Sequence, residues 1–144
     1  MDIKNLTAKD YAAQIEKQGE IAFVPRGNSM WPFIKNKGQT VVIARKSERL
    51  NKYDVAFYSN DGVHAVLHRV IEVLPDGYVL CGDSQFAPEK VTEEKVFGVM
   101  KCFYQGKKCI DANDQRYLKK VKKWHKNQKI RKFKVKLFFF LKKN

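Results

Sequence analysis

Between residues 20 and 111 the apolar positions recur in short runs broken by turn residues, the period-two signature of strands rather than the longer period of helices. Glu20–Arg26 reads as a strand leading into Gly27. Thr40–Arg45 is a β-branched run and Val55–Ser59 another, and Asn60-Asp61-Gly62 is a hairpin turn joining the latter to a strand over Val66–Val73. Pro75-Asp76-Gly77 turns the chain into Tyr78–Gly82, while Lys95–Tyr104 and Lys108–Asp111, split by Gln105-Gly106-Lys107, form a closing hairpin. Ahead of these, Thr7-Ala8-Lys9-Asp10 resembles a capping box opening a helix over 7–18, with Tyr11, Ala12 and Ile15 on one face. The expected fold is mainly β: a coiled or barrel-like antiparallel sheet with a short amino-terminal helix.

The pattern changes after residue 112. Tyr117, Val121 and Trp124 fall on one helical face, and Ile130, Phe133, Leu137 and Leu141 form a second stripe of different phase. The break lies near Asn127, which predicts two helical segments or a kink. Charge follows the same boundary. Residues 1–114 hold 16 Lys and Arg against 15 Asp and Glu, whereas residues 115–144 hold 13 Lys and Arg and no acid, so 13 of the 14 net positive charges lie in the tail. Two regions are therefore expected, a folded domain over 1–112 and a basic amphipathic tail over 113–144.

Lysines interleaved with rings and aliphatics suit a helix lying in an anionic membrane interface. The same composition would bind nucleic acid through phosphate contacts, a less favoured reading, or dock on the domain or a partner.

Cys81, Cys102 and Cys109 have neither the spacing nor the even count of a disulfide framework or a zinc knuckle. Met1–Glu20 has no apolar run of the signal-peptide kind, and the longest uncharged run, Gly27–Ile34, is far short of the roughly 20 residues a membrane span needs. A cytoplasmic or peripherally membrane-associated protein is expected. His64, His68 and Cys81 lack a metal-ligand spacing, so neither metal nor cofactor is expected.

The chemistry points to Arg26-Gly27-Asn28-Ser29-Met30-Trp31-Pro32-Phe33-Ile34. Gly27 opens a turn closed to other residues and Pro32 pushes Trp31 toward extended geometry, so Ser29 is presented at fixed angles as a candidate nucleophile. A serine hydroxyl needs a base within reach and donors aimed at a developing oxyanion. His68 on the strand over 66–73 and Asp83 after the strand over 78–82 complete the set for base-assisted acyl transfer.

Gly27-Asn28-Ser29-Met30-Trp31-Pro32, Lys52-Tyr53-Asp54-Val55-Ala56-Phe57, His68-Arg69-Val70-Ile71, Gly82-Asp83 and Val96-Phe97-Gly98-Val99 resemble, in order, the successive boxes of signal peptidase I. The resemblance covers residues 21–104 and is nearest the archaeal and endoplasmic-reticulum type, which has histidine where bacterial enzymes and LexA-like peptidases have lysine. It implies a serine endopeptidase with Ser29 as nucleophile, His68 as general base and Asp83 as the acid that orients it. It also implies a cleft accepting an extended leader- or signal-like peptide with a small side chain at the cleavage position.

Alternatives stay open at several positions. Glu89 is the alternative third member, matching a second acid in the eukaryotic relatives. His64 competes with His68 as base, being on the same face if strand pairing is regular. Arg69 should face the opposite side in a structural role. The oxyanion hole would combine the Ser29 N–H with the Asn28 side-chain amide. Two other functions fit the same fold: an autoproteolytic switch, and a non-catalytic module whose basic tail binds membrane, partner or nucleic acid.

Overall fold

The structure, a computed structural model, describes residues 6–35 and 38–143. The first five residues of the amino-terminal stretch and Asn144 of the tail lie outside them. The chain divides into two compact units, Met1–Ala112 and Asn113–Asn144.

The first unit opens with α1 (Ala8–Gln18). Its capping box forms: the Asp10 N–H donates to the Thr7 hydroxyl at 3.3 Å and the Thr7 N–H to the Asp10 carboxylate at 2.9 Å. Gly19 ends the helix with φ 84°. Eight strands follow: β1 (Glu20–Phe23), β2 (Val41–Arg45), β3 (Val55–Tyr58), β4 (Val66–Leu74), β5 (Gly77–Cys81), β6 (Glu89–Thr92), β7 (Val96–Gln105) and β8 (Lys108–Asp111). They form one antiparallel sheet in the order β1-β2-β7-β3-β4-β5-β6, with β8 also on β7. Among the described residues β1 pairs with β2 alone and β6 with β5 alone, so the fold is mainly β as expected but its sheet is open rather than closed into a barrel.

Two local departures bear on the site. The turn from β3 to β4 is longer than a three-residue hairpin, because Asp61 organises the loop around itself. Its Oδ1 accepts the N–H groups of Val63 at 2.8 Å and His64 at 2.7 Å, and the Ser59 hydroxyl accepts the Gly62 N–H at 3.0 Å. This takes His64 off β4, so the shared strand face expected for His64 and His68 does not exist. β6, with Val91 as its buried residue, is too short and polar to carry a period-two signal of its own.

All four residues of β3 are buried, and the strand carries core on both faces. Ala56 and Tyr58 pack with Leu50, Val70, Tyr78, Leu80, Val91 and Val96. Phe57 faces the other way, meeting Tyr11, Phe23 and Phe97, with ring centroids in that cluster 5.1–5.4 Å apart. A strand buried on both sides holds its side chains in fixed rotamers, and Tyr58 uses that rigidity below.

The second unit is α2 (Gln115–Lys126) and α3 (Gln128–Lys143). Asp114 caps α2 by accepting the Tyr117 N–H at 2.9 Å. The predicted phase break is at Asn127, whose N–H donates to the Lys123 carbonyl at the end of α2 while its side-chain oxygen accepts the Ile130 N–H at 3.3 Å at the start of α3. Among the described residues no helix is long and apolar enough to cross a membrane.

Candidate active site

Gly27 takes φ 77°, and the chain then tightens over residues 29–34, where the N–H groups of Phe33 and Ile34 donate to the Met30 carbonyl at 3.1 and 2.9 Å. The Trp31–Pro32 bond is cis, and the segment turns back where an extended exit was expected. Met30 and Ile34 are buried and anchor the turn. The turn is clamped onto the residues after β5: the Ser84 N–H donates to the Ser29 carbonyl at 3.0 Å and the Ser84 hydroxyl to the Asn28 carbonyl at 2.6 Å. Gly82 permits this approach, since a Cβ there would sit 2.7 Å from the Ser29 oxygen. The Ser29 N–H, the Ser29 hydroxyl and the Asn28 side-chain amide make no hydrogen bond among the described residues.

His68 is half-buried on β4, opposite Ala56 of β3. The next residue, Arg69, pairs with Cys81, the last residue of β5, and Gly82 after it is the residue pressed on Ser29. The Ser29 turn thus lies against the end of β5, beside the part of β4 that carries His68. No hydrogen bond joins Ser29 and His68 among the described residues.

His68 Nδ1 lies 3.0 Å from the Tyr58 hydroxyl, and that hydroxyl donates to Glu89 Oε1. The Asn60 amide donates to the other Glu89 oxygen at 3.3 Å, and Asn60 is held in turn by Lys95 at 2.9 Å. Burial, and then the adjacent Glu89 carboxylate, push the Tyr58 hydroxyl far above its ordinary pKa, so it keeps its single proton. That proton goes to the acceptor-only carboxylate, so the Tyr58 oxygen must accept from Nδ1–H. Neutral His68 is therefore the Nδ1–H tautomer, with its lone pair on Nε2. Burial lowers the His68 pKa below 6.5, while the charges of Glu89 and then Asp83 act to raise it. The net result is an imidazole that is neutral at pH 7, the form that accepts a proton.

Asp83 lies on the other side of β4. Arg69 Nε donates to its Oδ1 at 3.1 Å and Nη2 to its Oδ2 at 2.6 Å, and both side chains are 0% exposed. Arg69 also donates from Nη1 to the Tyr53 carbonyl at 3.0 Å and lies 5.6 Å from the centre of the Phe33 ring. The guanidinium thus ties together the turn before β3, the serine turn and the turn after β5. The expected facing of Arg69, opposite to His68, is what the strand delivers. Of the two candidate acids, the structure connects Glu89 to His68 through Tyr58 and sets Asp83 against Arg69.

Ser29 lines a cleft of about 350 Å³ whose apolar walls include Leu6, Tyr11, Phe23, Ile34, Phe57 and Leu67. His64 stands at the same cleft, its side chain 80% exposed and its Nδ1 2.6 Å from Asp61 Oδ2. Hydrogen bonds from the His64 side chain and from the His64 and Val63 N–H groups hold the Asp61 carboxyl well below the usual range.

Tyr58 is the residue that sequence reasoning missed. A strand over 55–59 places Tyr58 on the face of Ala56, and a hairpin to the next strand places that face beside the even-numbered residues of β4, including His68. The signal was present but needed the pairing register to be read.

No protein-family model matches the chain, and no curated protein matches it.

Proposed function

We propose that residues 1–112 form a serine endopeptidase of the signal-peptidase and LexA-like type, cutting a leader- or signal-like segment held extended in the Ser29 cleft. Ser29 Oγ attacks the scissile carbonyl while His68 Nε2 takes its proton. The oxyanion is held by the Ser29 N–H and the Asn28 side-chain amide. His68 then protonates the leaving amine, and a water activated by the same nitrogen releases the acyl group. Tyr58 and Glu89 are positioning residues that hold His68 in the Nδ1–H tautomer and stabilise the imidazolium. His68 does not line the cleft that Ser29 lines, so the proposed proton transfer requires the serine turn and β4 to close on each other as substrate binds.

The observation that carries this reading is the His68–Tyr58–Glu89 chain, which fixes the tautomer and leaves Nε2 as the base. A second reading is favoured by one feature: His64 stands at the cleft with a carboxylate on its Nδ1, the arrangement of a triad base and its acid. Its exposure leaves it without the packing that fixes His68, so His68 is the preferred base.

The test is reaction of the full chain with a fluorophosphonate and a peptide boronate, followed by cleavage of peptides bearing small residues at the cut. Ser29→Ala and His68→Ala are each expected to abolish labelling and to lower cleavage by at least about 10⁴-fold. His64→Ala that abolishes both while His68→Ala leaves them intact would transfer the base role to His64. Folded protein that reacts with neither probe and cuts no peptide would return the domain to a binding role, and conversion of the purified chain to two fragments at a concentration-independent rate would mark an autoproteolytic switch.

A further inference from the structure

In α3 the side chains of Ile130, Phe133, Leu137, Phe140 and Leu141 are 44–66% exposed, whereas Arg131 and Val135 are buried. At 100° per residue these five span an arc of roughly 100° along the helix, the width of an apolar face. Lys129 and Lys136 border the stripe on one side and Lys134 on the other, and all three are exposed. Along α2, Lys119, Lys122, Lys123 and Lys126 gather on one exposed face. Exposed rings and branched aliphatics in this number cost free energy in water and mark a contact surface.

The chemistry of the border selects the occupant. Residues 115–144 carry 13 Lys and Arg and no acid, so the partner must be anionic. A second copy of the tail would bring the same charge and repel it. A nucleic acid would take the lysines and stack on rings, but would leave Ile130, Leu137 and Leu141 in water. An anionic lipid surface takes both parts at once: acyl chains receive the stripe and headgroup phosphates receive the lysines.

We infer that α3 lies along an anionic lipid surface, with Ile130, Phe133, Leu137, Phe140 and Leu141 inserted and the neighbouring lysines at the headgroups. This inference stands apart from the catalytic reading, and its test uses the full chain carrying Ser29→Ala so that peptidase activity plays no part. The chain is sedimented with vesicles of phosphatidylcholine, alone or mixed with phosphatidylserine. Binding is expected to the mixed vesicles, to weaken steeply with salt, and to fall by about a hundredfold in a Phe133→Ser, Phe140→Ser variant.

Both rings are more than 60% exposed, so circular dichroism should show the helices intact in that variant. If helix content drops instead, Phe133→Trp in the otherwise intact chain replaces it. Tryptophan emission that shifts to the blue on mixed vesicles, beyond any shift of the unsubstituted chain, supports insertion, and an unchanged emission overturns it. Equal binding to phosphatidylcholine alone, or mixed-vesicle binding indifferent to the Phe133 and Phe140 substitutions, overturns the inference. So does a DNA duplex or a second copy of the chain whose binding depends on those rings while the mixed vesicles bind nothing.

Discussion

His68 and Arg69 are neighbours on β4 that face opposite ways, and each is linked to a carboxylate by different means. Arg69 grips both oxygens of Asp83 directly in a site closed to water. His68 reaches Glu89 through the Tyr58 hydroxyl, on a carboxylate that is itself half-buried. The difference is chemical. A guanidinium never gives up its proton, so its pair with Asp83 is permanent, and a permanent buried pair fixes geometry. In the proposed reaction His68 changes protonation in each cycle, and a neutral hydroxyl between it and Glu89 would transmit orientation without adding the full attraction of a direct ion pair. One face of the strand carries a permanent ion pair and the other an imidazole held by a hydroxyl.

The strongest way to break this contrast is Asp83→Ala, which strands a buried guanidinium. Unfolding in urea should show a loss of about 3–5 kcal/mol, with activity falling only as far as the folded fraction does. An Asp83→Ala protein as stable as the parent but inactive would make Asp83 the orienting acid after all.

Glu89→Gln should do the reverse. The unfolding midpoint is expected to stay close to that of the parent, while turnover falls about ten- to a hundredfold through loss of a charge-assisted hydrogen bond.

The pH profile sharpens the comparison further. Burial places the His68 pKa below 6.5, so the acid limb of kcat/KM should have its midpoint below that value and activity should be at its plateau at pH 7. The Glu89 carboxylate favours the imidazolium, so Glu89→Gln should move the limb to still lower pH. A limb that moves more in Asp83→Asn than in Glu89→Gln would reverse the assignment. Stability has its own sign: the native protein holds His68 neutral, so the unfolded chain takes up the proton first, and stability declines as pH falls through and below about 6.5.

The smallest effect is expected at His64. His64→Ala removes an exposed ring and its bond to Asp61, and should change stability by less than about 0.5 kcal/mol and kcat/KM by less than about twofold.

Much of the scaffold is written locally. The Thr7–Asp10 capping box, the strand runs at Val41–Arg45 and Lys108–Asp111, and the break at Asn127 each depend on residues within a few positions of one another. For that reason the helix, most strands, the turn at Pro75-Asp76 and the two-part tail could be read from pattern alone. The strand face expected for His64 fails because the hydrogen bonds of Asp61 to Ser59, Val63 and His64 are side-chain contacts that periodicity does not report. β6 escaped because a four-residue strand with one buried side chain leaves almost no pattern.

Ser29, His68 and Asp83 are legible in the sequence as residues able to carry acyl-transfer chemistry, because residue type and order suffice to nominate them, whereas Glu89 is nominated by the family resemblance alone. Which carboxylate is linked to His68 and which to Arg69 is decided by tertiary structure. That pairing depends on the register of β3, β4, β5 and β6, including the shift between Val70 and Glu72 where β4 bulges against β5. A slip of one residue turns every side chain of a strand to its other face. It would exchange the surroundings of His68 and Arg69, so the division of β4 into an imidazole face and an ion-pair face belongs to the folded sheet and to no local stretch of the chain.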